Sequence, residues 1–257
     1  MSAPTRIGLI VPSSNTTIET EVPQMLSRRA AATGEAFTFH SSRAVLHTVD
    51  PESLDRMVGQ VDRCANELAD ARVDAMVYAC LVALMARGPG AHEGVEQQLG
   101  DAARRGDGYE PVISSSAGAL VRSLEAHRLR KVAILTPYVE ALTQQVVDYL
   151  TAAGITVTEA MSLGVPDNVQ VAQLDPMRLP DLAAQMDLGS ADGVIISACV
   201  QMPSLPAISI AERQLGLPVL SAATATVHDL LVRLGRPTEV PEAGALLSGS
   251  EALAASA

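Results

Sequence analysis

Short apolar runs and longer amphipathic stretches alternate along the whole chain. Short runs bounded by polar residues predict strands, and apolar residues that recur every three or four positions predict helices. We predict strands at residues 6–11, 36–41, 75–79, 112–113, 132–136, 156–160, 193–198 and 219–220. We predict helices at residues 17–31, 51–71, 90–105, 117–127, 139–153, 176–188, 207–215 and 222–234. This alternation is typical of α/β folds, in which a mostly parallel sheet is flanked by helices.

The pattern also repeats. Pro12 and Asp50 lie 38 positions apart, and so do Pro137 and Asp175. An apolar run precedes Pro12, and a similar run precedes Pro137. The repeat predicts two similar lobes. We expect residues 1–116 plus 220–257 to form the N-terminal lobe, to which the C-terminal helix returns. Residues 117–219 should form the C-terminal lobe.

Composition and charge narrow the class of protein. Apolar residues make up 48% of the chain and aromatic residues only 2%, so the core must consist of Ala, Val, Leu, Ile and Met. The net charge of −11 argues against a nucleic-acid partner, which would require a basic face. An anionic ligand would have to be bound by local hydrogen-bond donors rather than by the overall field.

The sequence carries no sign of a membrane, metal or cofactor partner. The starting segment MSAPTRIGLIVPSSN has too short an apolar run for a signal segment or a membrane span. Three cysteines do not make a disulfide framework in a chain of 257 residues. The five His residues lack metal-ligand spacing, and no glycine-rich nucleotide fingerprint follows the first strand. These features favour a cytoplasmic protein without cofactors.

Two cysteines end two similar strands. Cys80 closes the run DAMVYAC, and Cys199 closes DGVIISAC. In open α/β sheets, ligands bind at the carboxyl ends of the strands, where backbone N–H groups can also lower the pKa of a thiol. Either cysteine alone could be a small buried hydrophobe, but their equivalent positions favour a function. Cys64 has no counterpart in the repeat and is expected to be structural.

Three other polar positions could face the same cleft. Asn15 follows the first strand within PSSNTT, a segment that also reads as a helix cap. Tyr138 occupies the place in the second repeat that Ser13 holds in the first, although it could simply pack over its loop. Asn168 lies between a strand and a helix, where a turn residue is the alternative.

The segments VPSSNTTIETEVP, YACLVALM and SACVQMPSL, with LTPY between them, closely resemble maleate cis-trans isomerases of the aspartate/glutamate racemase superfamily. The resemblance covers nearly the whole chain. It implies two α/β lobes related by a pseudo-twofold axis, with one cysteine from each lobe facing the cleft. It also implies cofactor-independent conversion of maleate, a small dicarboxylate, to fumarate by a homodimer.

The resemblance further implies a role for each site residue. Cys80 corresponds to the nucleophile and Cys199 to its proton-transfer partner. The side chains that hold the substrate carboxylates correspond to Asn15, Tyr138 and Asn168. The expected pocket is completed by Ser14, Leu81, Val82, Val200 and Gln201.

The implied chemistry suits these residues. A thiolate can add to one alkene carbon of maleate, which leaves a single bond that can rotate before the thiolate is expelled. Backbone N–H groups after the two cysteines would stabilise the developing charge. The loss of one such donor typically raises the activation free energy by on the order of 3 kcal/mol.

Other functions stay open. Amino-acid racemases of the superfamily have a polar Thr after the first thiol, where this chain has Leu81 and Val82, and arylmalonate decarboxylases have glycine in place of Cys80. A racemase or isomerase of a related small diacid remains an alternative. A non-enzymatic two-lobe binding protein is the alternative from another class, but it leaves the paired cysteines unexplained.

Overall fold

The computed structural model describes residues 3–249, which form an α/β fold. Its strands are β1 (Thr5–Pro12), β2 (Phe37–Ala44), β3 (Ala75–Tyr78), β4 (Val112–Ser115), β5 (Lys131–Thr136), β6 (Thr156–Ser162), β7 (Gly193–Ser197) and β8 (Val219–Ser221). Its helices are α1 (Ile18–Thr33), α2 (Pro51–Val58), α3 (Val61–Asp70), α4 (Leu81–Met85), α5 (Ala91–Ala103), α6 (Ser116–Ala126), α7 (Glu140–Ala152), α8 (Asn168–Val171), α9 (Leu179–Ala183), α10 (Ile208–Leu215) and α11 (Ala222–Arg233).

The strands form two parallel sheets of four. Their orders are β2-β1-β3-β4 and β6-β5-β7-β8, so the second sheet repeats the order of the first. All neighbouring pairs are parallel. The central strands β1, β3 and β7 are almost wholly buried, because helices cover both faces of each sheet. The predicted two-lobe α/β fold and all eight strands are therefore confirmed.

The helix predictions need two corrections. The stretch predicted as one helix at residues 51–71 is two helices, because α2 stops at Val58 and Gly59-Gln60 separates it from α3. The stretch predicted at residues 176–188 is a 3-10 turn at Pro176–Arg178 followed by the five-residue α9. Pro180 has no N–H to donate to the Pro176 carbonyl, so a continuous α-helix cannot run from residue 176 through this position, and α9 has Pro180 in its first turn instead. The short helices α4 and α8 were not predicted at all.

The helices α6 and α11 meet where the two lobes join. Each follows the last strand of its sheet, and the two pack directly against each other. Helix α11 also contacts α1, β3 and β4 of the first lobe, while Val219–Ser221 pairs within the second sheet. The domain boundaries remain a prediction, and residues 250–257 of that prediction lie outside the described part of the chain.

The carboxyl ends of the central strands lead into the cleft between the lobes. The segments that follow β1, β3, β5 and β7 contain Asn15, Cys80, Tyr138 and Cys199, respectively. No helix within residues 3–249 is long and apolar enough to cross a membrane.

Candidate active site

Cys80 is the residue just before α4. Its backbone is extended, and its side chain is buried with 4% of its surface exposed. Burial raises the pKa of its thiol to about 12, and negative charge on Cys199 contributes to that increase. The N–H of Ala83 in α4 opposes this shift in pKa, although it makes no regular capping hydrogen bond. At neutral pH, Cys80 is therefore a protonated thiol.

Cys199 is equally buried but has more donors. Burial raises the pKa of its thiol, while the Tyr138 hydroxyl and the N–H groups of Gln201 and Met202 lower it. The Gln201 N–H lies 3.3 Å from the sulfur. Because three donors reach this sulfur and one reaches Cys80, a negative charge is better stabilised on Cys199.

Tyr138 interacts with both thiols, through a hydrogen bond to Cys199 and through the charge of Cys80. Its side chain is buried, its hydroxyl donates to the Cys199 sulfur, and the charges of both cysteines raise its pKa. Burial is the largest cause and holds the pKa of Tyr138 well above its ordinary value. The hydroxyl therefore stays protonated and remains a donor at neutral pH.

Asn15 and Ser14 lie on the first-lobe side of the cleft. Asn15 is fully buried, and its Nδ2 donates to the carbonyl of Val200 over 3.2 Å. Its Oδ1 accepts the Ile18 N–H, so it caps the start of α1 as well. One hydrogen of the Nδ2 group remains for a ligand, since an amide carries two. The cap and the site prediction are compatible.

Asn168 begins α8 and connects that helix to the first lobe. Its Nδ2 donates to Ser14 Oγ over 2.8 Å. The Gln201 side chain completes the connection: its Nε2 donates to the carbonyls of Ser14 and Asn168, and its Oε1 accepts the Thr16 N–H. Gln201 stays a predicted substrate contact, and its side-chain groups also bind three backbone groups of the surrounding loops.

The apolar members of the predicted pocket lie beside the two thiols in the sequence and are buried. Leu81 and Val82 form the first turn of α4, and Val200 follows Cys199. A cavity of about 60 Å³ borders Tyr138 and Asn168 and is otherwise lined by apolar residues such as Val49, Val165 and Val171. Neither Cys80 nor Cys199 lines this cavity, so it is separate from the space between the two thiols.

Several residues that organise the site were not predicted. Ser197 Oγ lies 2.9 Å from the Cys199 carbonyl oxygen and 3.0 Å from that of Met202, so its single hydroxyl hydrogen is shared between them and shapes the turn around the thiol. Thr17 Oγ1 donates to the Gln201 carbonyl, and the Glu21 carboxylate accepts the N–H groups of Ser204 and Leu205. In the sequence, Thr17 is the last residue of PSSNTT, which also reads as a helix cap, and no pattern distinguishes Glu21.

Cys64 lies away from these groups. It is buried within α3, where burial raises the pKa of its thiol. Among residues 3–249, no group of three or more His, Cys, Asp or Glu side chains is arranged to hold a metal ion.

The site therefore combines two buried thiols, one protonated phenol and neutral amides between two lobes. Such groups can add a sulfur to an electrophilic carbon and move a proton nearby, while neutral donors bind an anion.

Comparison with known proteins connects this site to one group of enzymes. A family model described as arylmalonate decarboxylase matches residues 7–247. A maleate isomerase of Geobacillus stearothermophilus is 54% identical over 245 residues, which are 95% of this chain and 97% of that protein. The crystal structure of a cysteine-to-alanine variant of a Pseudomonas putida maleate isomerase with maleate has a TM-score of 0.94 at 48% identity, covering 96% of this chain and 99% of that one. A Nocardia farcinica maleate cis-trans isomerase, solved as a cysteine-to-serine mutant with a covalently bound succinylcysteine intermediate, has a TM-score of 0.92 at 45% identity, covering 96% of this chain and 100% of that one.

Proposed function

Because the chain belongs to the arylmalonate decarboxylase family and, within it, to the maleate isomerases, we propose that it converts maleate to fumarate through a covalent bond to Cys80. The observation that carries this proposal is the pair of buried thiols, Cys80 and Cys199, at equivalent strand ends of the two lobes. The succinylcysteine intermediate of the Nocardia farcinica relative supports the same chemistry.

The donors around the thiols support different roles for the two cysteines. Cys199, the better stabilised thiolate, accepts the proton of Cys80 as the Cys80 sulfur forms a bond to one alkene carbon. The π electrons move to the other alkene carbon and into its carboxylate. The new thiol of Cys199 then gives its proton to that carbon, which leaves a succinyl group on Cys80.

The second half of the reaction reverses these steps after rotation. The former double bond is now single, so the carboxylate-bearing carbon can turn. The Cys199 thiolate removes a proton from the protonated carbon, and the C–H electron pair forms the new C=C bond. The C–S bond breaks with its electron pair returning to the Cys80 sulfur, and fumarate forms. The proton on Cys199 then passes back to Cys80, which restores the Cys80 thiol and the Cys199 thiolate. Atoms and electrons balance without a redox partner, so the proposed reaction needs no cofactor.

Asn15, Tyr138 and Asn168 are proposed to hold the carboxylates. All three are neutral donors at the cleft, and neutral donors suit a substrate whose negative charge shifts during turnover. Leu81, Val82 and Val200 would form the apolar walls, and Ser14 would act through Asn168.

The test follows maleate directly. Loss of maleate absorbance near the ultraviolet edge, with fumarate identified by proton NMR, would establish the activity. We expect Cys80→Ser to abolish turnover, because a hydroxyl is a far weaker nucleophile at neutral pH. Cys199→Ser should be severely impaired, and Cys64→Ser, which is buried elsewhere, should match the wild type. Substantial turnover by Cys80→Ser would exclude the covalent route.

Peptide mass spectrometry distinguishes the two cysteines. After a quench of Cys199→Ser with maleate, one maleate mass should appear on the Cys80 peptide and none on the Cys64 peptide. A Val82→Phe variant should accumulate the same adduct, because a larger side chain beside Cys80 hinders rotation. An adduct on Cys199 alone in the wild type would keep the chemistry and reverse the two roles, whereas no adduct under any quench would favour a non-covalent route.

Two alternatives give different results in these assays. A racemase or isomerase of a related small diacid would leave maleate unchanged and turn over another diacid. A binding protein would bind maleate without turnover and would tolerate serine at both thiol positions.

A homodimer in the cytoplasm is proposed for the whole protein. The resemblance to maleate isomerases supports the dimer, and three free cysteines within the described residues suit a reducing compartment. Light scattering should give twice the chain mass of 26.8 kDa, and a monomer would reject this assembly.

A further inference from the structure

One face of α1 holds the loop that carries Cys199. Thr17, the residue before the helix, donates through Oγ1 to the Gln201 carbonyl over 2.7 Å. The Glu21 carboxylate accepts the N–H groups of Ser204 and Leu205 on one oxygen, over 2.6 and 2.7 Å. Thr17 and Glu21 are four positions apart, so they lie on the same side of the helix.

These contacts join the two lobes. Helix α1 follows β1 of the first sheet, while the loop of residues 199–205 follows β7 of the second. The other Glu21 oxygen accepts the Ser204 hydroxyl over 3.2 Å. The first lobe thus fixes both the middle and the end of the loop whose start is the Cys199 thiol.

Burying the Glu21 carboxylate costs free energy, because it is removed from water. It is 4% exposed, burial raises the pKa of its carboxyl, and no cation is among its partners. A buried carboxyl group is stable only if hydrogen bonds replace water. All three donors come from the two adjacent residues Ser204 and Leu205, so this side chain serves a single loop.

We propose that Glu21 and Thr17 are positioning residues for Cys199. By holding the loop from the opposite lobe, they direct the N–H groups of Gln201 and Met202 towards the Cys199 sulfur. The site is then complete only when the lobes are together. The catalytic part of this inference rests on the proposed function, whereas its structural part concerns the thiol alone.

Two substitutions at position 21 separate the length of the side chain from its charge. Glu21→Gln keeps the length and an acceptor oxygen for both N–H groups, and the Ser204 hydroxyl can accept from its amide. Glu21→Asp keeps the charge but is one methylene shorter, about 1.5 Å, which is enough to lose hydrogen bonds. We therefore expect Gln to preserve the wild-type behaviour and Asp to lose it.

The first readout needs no substrate. Iodoacetamide labelling with peptide mass spectrometry should modify Cys199 at least tenfold more slowly in Glu21→Asp than in the wild type, because the thiolate loses the N–H groups that stabilise it. The rate at Cys80 should stay within twofold, and Glu21→Gln should match the wild type. Thr17→Val and Thr17→Ser form a second pair, in which only Val should slow the labelling of Cys199. Gln24→Ala, exposed on the same helix, is the control.

The second readout is turnover of maleate. Glu21→Asp should lose at least tenfold in kcat with a smaller change in KM, and the Cys80 adduct should accumulate because proton transfer is slowed. Faster labelling of Cys199, alone or together with Cys80, would indicate loosening of the site and overturn the proposal. If Glu21→Asp kept the wild-type labelling rate and kcat while Glu21→Gln lost them, the charge of Glu21 rather than its length would hold the loop, which would overturn the proposed role of reach. If Glu21→Asp does not fold, the Thr17 pair decides. If the wild type does not act on maleate, the labelling result still tests the positioning of Cys199.

Discussion

Cys80 and Cys199 occupy equivalent positions in the repeat, but different groups surround their sulfurs. Three donors reach Cys199, and one N–H reaches Cys80. The sulfur with more donors ionises first, and its charge then opposes ionisation of the other. The difference lies in the surrounding loops rather than in the cysteines themselves.

The raised thiol pKa values predict an alkaline activity profile. A thiol is protonated below its pKa, so the reactive thiolate grows as pH rises towards it. We expect kcat/KM for maleate to rise by up to about tenfold per pH unit between pH 7 and 9. Tyr138→Phe removes a donor that lowers the Cys199 pKa, so its profile should move to higher pH. Initial rates across this range measure both effects, and a flat wild-type profile would contradict them.

The carboxylate donors give a second prediction at this scale. Asn15→Ala, Tyr138→Phe and Asn168→Ala should each lower kcat/KM for maleate by at least about tenfold, or ~1.4 kcal/mol. Asn15→Ala should lose most, because it also releases the Val200 carbonyl. Asn66→Ala, on the exposed side of α3, is the control. Full activity in two of the three variants would show that the substrate binds elsewhere.

At the scale of elements, the helix that follows the last strand of each lobe begins with a serine cap. Ser115 accepts the Gly118 N–H at α6, and Ser221 accepts the Thr224 N–H at α11. At α11 the Thr224 hydroxyl oxygen also accepts a hydrogen bond from the Ser221 N–H, which completes a capping box. The cap stabilises the helix that packs against the first lobe.

Ser221→Ala should therefore lower the free energy of unfolding by about 1 kcal/mol. The substitution leaves the Thr224 N–H without its acceptor, while the core contacts of α11 stay unchanged. Urea unfolding followed by circular dichroism measures the effect. Ser27→Ala, exposed on α1, should change stability by less than about 0.5 kcal/mol. Equal stability of the two variants would show that the cap contributes nothing.

At the scale of the whole molecule, two buried histidines lie where the lobes join. His127 at the end of α6 and His228 of α11 approach each other with Nε2 atoms 3.0 Å apart. One ring must donate and the other accept, so the pair is stable when both are neutral. Burial and the neighbouring His127 lower the pKa of His228 to about 4, although Asp229 raises it.

This pair predicts a loss of stability in acid. The unfolded chain binds a proton on His228 at a pKa of about 6.5, above the value of about 4 in the fold. Between these values the unfolded state holds more protons, so the free energy of unfolding falls as pH falls. The contribution is on the order of 3 kcal/mol, since each pKa unit is worth 1.36 kcal/mol.

Denaturant unfolding at several pH values between 4 and 7 tests this assignment. His228→Gln keeps a polar side chain without the titration, so its stability should depend less steeply on pH than that of the wild type. The exposed His47→Gln serves as a control and should keep the wild-type slope. Equal slopes for His228→Gln and the wild type would assign the acid sensitivity to other groups.

The sequence by itself determined the strands, the repeat and the place of the two thiols. These depend on short-range patterns. The apolar runs of β1 and β7 require burial wherever they lie in the fold. A residue that follows such a strand lies at the carboxyl end of the parallel sheet, where ligands bind. The motifs around Cys80 and Cys199 also identified the family, which the identity to maleate isomerases confirms.

Only the tertiary structure decided what surrounds each thiol. Asn15 reaches Val200, and Glu21 reaches Ser204, across more than 180 positions of the chain. No local period encodes such contacts, because they depend on how two lobes of similar sequence pack together. The four- and five-residue helices α8 and α4 escaped prediction for a related reason: they are too short to show a helical period and are stabilised by contacts made elsewhere in the fold.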